Sequence, residues 1–233
     1  MKILITGSGG REHAIAFSLS KNEYVEKIYC APGNAGTYYE NKCENVKLNG
    51  IDEFVSFAKE KNIDLTIVGS EDLLVEGIVD IFQKNNLKIF GPNKKGAMLE
   101  GSKAYAKDFM KKYGIKTALY QTFNECNKAK EYLKNIDYPI VIKASGLALG
   151  KGVVICNNIN EANNALEEMM IKKVFGEAGS EIVIEEFLEG YEASILSITD
   201  GETIIPFISA KDHKKALDND EGLNTGGMGT FSP

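Results

Sequence analysis

KILITGSGGREHA, residues 2–14, joins an apolar run (Ile3, Leu4, Ile5) to a glycine turn (Gly7, Ser8, Gly9, Gly10) and then to a helical pattern over residues 11–21. An apolar run that gives way to turn residues and a 3.6-residue period is the pattern of a buried strand feeding a helix. The same alternation continues through apolar residues 25–30, an amphipathic stretch at 51–61, a strand at 64–68, a helix at 73–85 and a short strand at 88–90. It predicts an α/β fold with a doubly wound parallel sheet. Each strand ends at a turn: Gly7 to Gly10, Ala31-Pro32-Gly33-Asn34, Gly69-Ser70-Glu71-Asp72 and Gly91-Pro92-Asn93. Ligands of open α/β sheets bind beyond the carboxyl ends of the strands, so these turns mark the rim of a candidate site.

Past residue 101 the rhythm changes. A helix at 103–113, an extended stretch at 117–123 and a helix at 124–135 precede apolar runs at 139–143 and 153–156 that flank a glycine loop. A helix at 160–173, a strand at 181–187 and β runs at 193–199 and 203–209 follow, which reads as an α+β unit. The expected domains are 1–102 and 103–233, the second with a flap subdomain over about 117–190. Residues 212–233 hold no periodic apolar run and are expected to be irregular, as if the fold continued beyond them.

Composition narrows the function. The 233 residues are 43% hydrophobic and 26% charged, with 23 Gly and 5 Pro, which fits a globular chain and excludes collagenous or disordered classes. The net charge of −6 disfavours nucleic-acid and anionic-membrane partners. No stretch approaches the roughly 18 apolar residues of a membrane span, and no signal-peptide core follows Met1, so a cytoplasmic location is expected. Cys30, Cys43, Cys126 and Cys156 are widely spaced with no CxxC pair, which suits reduced structural thiols.

Four segments carry chemistry. In the first turn, Gly7 to Glu12, a strand feeds a helix, and exposed N–H groups with the helix dipole favour an anion. A dinucleotide fingerprint would need glycine where Glu12 stands and an acid where Cys30-Ala31-Pro32 stands, so a phosphate monoester suits the loop better; a plain tight turn is the alternative. The second segment, Lys143 to Gly152, lies between two strand-like runs and is not a P-loop. A glycine flap with a lysine on the preceding strand can cover a triphosphate. Unpaired charge at the edge of a buried strand is costly, which favours a functional Lys143. Third, backbone along Glu185-Glu186-Phe187-Leu188 can bond a purine edge and Glu192 a ribose hydroxyl, although acidic strand ends are more often solvated faces. Fourth, Lys211-Asp212-His213-Lys214-Lys215 and Gly226-Gly227-Met228-Gly229 suit a second anionic ligand.

Taken in order, GSGGREHA (7–14), APGNAGT (31–37), DLTIVG (64–69), KIFGPN (88–93), LEGSKAYAKDFM (99–110), PIVIKASGLALGKGV (139–153), IVIEEFLEGYEAS (182–194), KDHK (211–214) and NTGGMG (224–229) resemble the phosphoribosylamine-glycine ligase family of the ATP-grasp superfamily. The resemblance implies an N-terminal α/β domain before an ATP-grasp domain. It also implies ATP-dependent ligation of glycine to 5-phosphoribosylamine in purine biosynthesis, through glycyl phosphate. By motif position it makes Lys103 and Lys143 phosphate-facing lysines, Gly146, Gly150, Lys151 and Gly152 the flap, Glu185, Glu186, Phe187 and Leu188 the adenine link, and Glu192 the ribose partner. It places Gly7, Gly9, Gly10, Arg11, Glu12 and Asn34 near the sugar phosphate, with Gly226, Gly227, Met228 and Gly229 near the acceptor substrates. Asp212, His213 and Lys214 would be catalytic.

The chain departs from the family at Gly69-Ser70-Glu71-Asp72, where a proline is usual, and at Ser145, where many members have Asp. Family members continue into a strand whose Glu and Asn bind Mg²⁺ or Mn²⁺, so no metal ligand is expected within these residues. The 233 residues alone are expected to be inactive, with a separate C-terminal segment as a candidate partner. A non-catalytic nucleotide-binding module and a carboxylase-type purine enzyme of the same superfamily stand as alternatives.

Overall fold

In β1 (Lys2–Gly7), Ile3 and Ile5 pack with Ala16, Val25, Ile28 and Cys30, whereas Leu4 packs with Phe54, Ala58, Ile78 and Phe82. Alternate side chains of a strand leave opposite faces, so this one strand feeds two cores. It is followed by α1 (Gly10–Ser20), β2 (Lys27–Pro32), α2 (Ala35–Tyr39), β3 (Cys43–Asn45), α3 (Gly50–Glu60), β4 (Leu65–Val68), α4 (Glu71–Glu76), α5 (Ile78–Lys84), β5 (Ile89–Phe90) and α6 (Lys94–Gly101). The strands pair in parallel in the order β3-β2-β1-β4-β5. Helix α1 covers one face, and α3 and α5 cover the other, as the alternation implied. Fully buried side chains such as Phe82 and Ile78 each contribute about 1.5–3 kcal/mol.

The computed structural model describes residues 1–148 and 150–233, and at Asp220, Leu223 and Gly226 the backbone alone. It divides into two units, Met1–Gly101 and Ser102–Pro233. The second begins with α7 (Lys103–Lys112), β6 (Tyr120–Phe123), α8 (Cys126–Leu133), β7 (Ile140–Ala144), β8 (Val153–Cys156) and α9 (Ile159–Leu166), whose end widens into a π turn over Glu167–Ile171. After a 3₁₀ turn come β9 (Ile182–Glu186), β10 (Ser197–Thr199), β11 (Ile204–Pro206), β12 (Lys211–Leu217) and β13 (Glu221–Phe231). An antiparallel sheet in the order β6-β9-β7-β8 packs one face on α8 and α9, where Leu133, Leu166 and Met169 meet Ile140, Ile142, Ile182 and Ile184.

Two expectations differ from the fold, and one connection holds elements that the periods do not show. The helix expected over 73–85 is two helices, because Gly77 sits at φ +100° and ends α4 in the left-handed conformation. The connection after β2 holds α2 and β3, elements too short to show a period; Asn34 caps α2 by accepting the Thr37 N–H at 2.9 Å. Residues 212–233 are not irregular. Strands β12 and β13 pair as an antiparallel hairpin, with Lys211 opposite Phe231 and His213 opposite Gly229. A polar strand beside a glycine-rich one has no buried face to impose alternation, so its pairing leaves no apolar period to read. Among the described residues, no helix is long and apolar enough to cross a membrane.

Cys30, Cys43, Cys126 and Cys156 carry free thiols. Burial pushes the Cys30 thiol up to about 12 and the Cys156 thiol up to about 11. Because the thiolate is the nucleophile, iodoacetamide at about pH 8 should alkylate half-buried Cys126 well before Cys30 or Cys156. Peptide mass mapping of the native and the urea-unfolded chain checks this, with equal labelling of these three only after unfolding.

Candidate functional site

Strands β7 and β9 pair so that Val141 stands opposite Glu185 and Lys143 opposite Val183. With a two-residue period these four share the face turned away from the helices, and Glu185 is the diagonal neighbour of Lys143. Lys143 Nζ forms an ion pair with Glu185 Oε1. From α7, Lys107 Nζ forms a second ion pair with Oε2, outside hydrogen-bond geometry. Lys107 also donates to Thr117 Oγ1 at 2.7 Å and lies 5.5 Å from the centre of the Tyr120 ring. The side chains of Glu185, Lys107 and Lys143 are 5%, 10% and 29% exposed. Two ammonium groups against one carboxylate leave one positive charge in surplus, and the more exposed lysine carries it toward solvent. That is an arrangement for an anion.

A cleft of about 1660 Å³ opens beside this face. Its floor is Val141, Lys143, Val153, Ile155 and Glu185, and one wall is the link from Glu185 to Glu192. Along the link, the Glu186 carboxylate accepts the Leu119 N–H at 3.1 Å, while Phe187 and Leu188 offer partly exposed apolar surface. The other wall comes from β12 and β13. There Lys214 forms an ion pair with Glu192 and lies 3.8 Å from Asp212 Oδ2. The Glu192 hydrogen bond holds the Lys214 ammonium above its ordinary range. The His213 ring packs against Phe231 at 5.8 Å, and Met228 and Gly229 line the cleft. Gly227 lies next to them on β13, and Gly226 lies outside the residues whose surroundings are described.

The glycine loop is the β7–β8 hairpin connection. Gly150 reaches the cleft, while Gly152 is buried and its carbonyl accepts the Ala144 N–H at 2.8 Å; Lys151 is exposed. Lys103 Nζ donates to the Gly146 carbonyl at 3.0 Å, tying the first turn of α7 to the start of the loop. Ser145, buried, accepts the Ala104 N–H at 3.2 Å and meets the Ser102 hydroxyl at 3.2 Å, so a serine at this position serves the same junction.

In the first unit the expected sugar-phosphate residues gather at the β1–α1 turn. Glu12 is buried, and its carboxylate folds back to accept the Gly9 N–H at 2.5 Å. A Cβ on Gly9 would stand 2.9 Å from Glu12 Oε2, so any larger residue there would push on the carboxylate. Arg11 donates to the Gly69 carbonyl at 3.1 Å and pairs with Glu71 at 3.0 Å, and remains largely exposed. Asn34 donates to the carbonyls of Ser8 and Gly9, at 2.9 and 3.1 Å, which brings the β2–α2 turn to the β1–α1 turn. Gly7 and Gly10 flank these contacts. Among the described residues, no three His, Cys, Asp or Glu side chains converge as a metal site.

Sequence reasoning missed Lys107. Its only signal is the four-residue spacing from Lys103, which puts both on one face of α7 beside alanines. Nothing local shows that this face meets β9.

Comparison with known proteins is extensive. Residues 1–100 match the family described as phosphoribosylglycinamide synthetase, N domain, and residues 101–233 match its ATP-grasp (A) domain. The chain is 63% identical over 233 residues to a phosphoribosylamine–glycine ligase of Fusobacterium nucleatum, covering all of this chain and 55% of that protein. A ligase of the same name from Clostridium acetobutylicum is 60% identical, with 56% of it covered. The crystal structure of phosphoribosylamine–glycine ligase from Thermotoga maritima superposes with a TM-score of 0.79 at 36% identity, over 99% of this chain and 55% of that one. The chain therefore spans about 55% of the length of the relatives it matches.

The buried Glu12 carboxylate organises the first turn through a charge-assisted bond, so Glu12→Ala should lower the stability of the first unit by about 1–3 kcal/mol. Urea unfolding followed by circular dichroism checks this; an unchanged midpoint would mean that the Gly9 bond contributes nothing net.

Proposed function

The chain belongs to the phosphoribosylglycinamide synthetase family, and on that premise we propose that it holds the sugar-phosphate and ATP-binding parts of a C–N ligase. The reaction is the joining of glycine to 5-phosphoribosylamine, giving glycinamide ribonucleotide, ADP and phosphate. The γ-phosphoryl group of ATP passes to the glycine carboxylate. The amine then attacks the glycyl phosphate carbonyl and expels phosphate. Such a sequence asks the protein mainly for positioning and charge stabilisation.

The observation that carries this reading is the surplus cation, Lys143, on the cleft face of β7 beside a glycine hairpin. In this role Lys143 and Lys103 address the phosphates under the flap of Gly146, Gly150, Lys151 and Gly152. Backbone from Glu185 to Leu188 takes the purine edge, with Phe187 and Leu188 as apolar cover. Glu192 exchanges its Lys214 partner for ribose hydroxyls. Asp212, His213 and Lys214, with Gly226 to Gly229, lie toward the acceptor substrates. The β1–α1 turn, with Arg11, Glu12 and Asn34, receives the phosphate of the sugar. Mg²⁺ or Mn²⁺ belongs to the family's chemistry, and among the described residues no three His, Cys, Asp or Glu side chains gather for such an ion. Four free thiols support a cytoplasmic setting, and the substrates are small molecules.

Lys143→Ala should weaken ATP binding by roughly tenfold to a hundredfold, the worth of one charged hydrogen bond. Affinity for ribose 5-phosphate, assigned to the other unit, should stay as it was. Calorimetric titration with each ligand checks both. Unchanged ATP affinity would contradict the assignment of the cleft, and a parallel loss of ribose 5-phosphate would contradict the division between units.

A further inference from the structure

Lys107 has no role in the reading above, yet it is buried at 8% exposure and paired with the one acid on the cleft floor. We propose that Lys107 is a positioning residue for nucleotide binding: it stays on Glu185 as resident counter-ion, so that Lys143 can leave that carboxylate for a phosphate. This rests on the nucleotide reading of the same cleft.

The two lysines hold Glu185 from unequal positions. Lys107 is fixed from several sides, by Thr117 Oγ1 at 2.7 Å, by the Ala118 carbonyl at 3.5 Å and by the Tyr120 ring, and its side chain is 10% exposed. Both lysines line the cleft, but Lys143 is 29% exposed. An arriving triphosphate therefore draws Lys143 and leaves Lys107 in place. A buried carboxylate with no counter-ion is strongly disfavoured. If Lys143 were the sole partner of Glu185, each departure toward phosphate would strand the acid, and Glu185 would compete with the ligand for the lysine. The second lysine removes that competition, so Lys107, which lines the same cleft, acts on the ligand through Glu185 and Lys143.

The test is calorimetric titration of the 233-residue chain with ATP and with inorganic tripolyphosphate, for the wild type, Lys107→Met and Lys107→Met/Glu185→Gln, with folding followed by circular dichroism. A wild type that binds neither compound overturns the nucleotide reading itself, and this inference with it. Given wild-type binding, Lys107→Met should lose about tenfold or more for both compounds. The double variant should recover tripolyphosphate affinity to within about tenfold of wild type, because a neutral glutamine no longer holds Lys143. Recovery on removing a second group is not expected if Lys107 only ties α7 to the sheet. Unchanged binding by Lys107→Met, or a double variant no better than the single one, overturns the proposal. If Lys107→Met does not fold, the double variant decides alone, since it removes the buried carboxylate along with its resident lysine and leaves only the part-exposed Lys143 without that partner. Tripolyphosphate affinity within about tenfold of wild type then supports the proposal, and a larger drop overturns it.

Discussion

A carboxylate that is 5% exposed must be met by cations, and the second unit is organised around meeting Glu185. The requirement reaches three elements. Strand β9 carries the acid, β7 brings Lys143 diagonally across the sheet, and α7 brings Lys107 from outside it. The same registers serve the core. A one-residue slip of β7 against β9 would move Lys143 or Glu185 to the helix side and expose Ile142 or Ile184. Apolar packing on one face and charge pairing on the other thus specify one alignment, and the cleft inherits its chemistry from it.

In the first unit a buried acid also has its place set by backbone. Glu12 occupies the inside of the β1–α1 turn and takes the Gly9 N–H, while Asn34 fastens the neighbouring turn to the Ser8 and Gly9 carbonyls. Two strand ends are thereby locked into a single rim before any ligand arrives. Loops tied in this way have little freedom left to lose if a ligand is bound.

Much of this was legible in the residues because buried strands and amphipathic helices leave periods. The parallel sheet, the β7–β8 hairpin around Gly146 to Gly152 and the position of Lys143 all follow from apolar runs and the glycines between them. Other features left no such mark. The β12–β13 hairpin is polar and glycine-rich, so its pairing is a backbone matter with no side-chain period. The break at Gly77 lies inside an unbroken helical pattern. Lys107 reads as an ordinary solvated helix lysine, because what makes it special is a strand far along the chain that cannot be inferred from its neighbours. The family's motifs mark Lys103 and Lys143 but not Lys107, whose partner Glu185 lies on another element.

A crystal structure of this chain with a non-hydrolysable ATP analogue tests the Glu185 arrangement most directly. Bound triphosphate should find Lys143 Nζ on a phosphate oxygen, Lys107 Nζ still on Glu185 and the adenine along residues 185–188. Lys143 remaining on Glu185 beside bound nucleotide, or Lys107 leaving it, would contradict the division of labour between the two lysines.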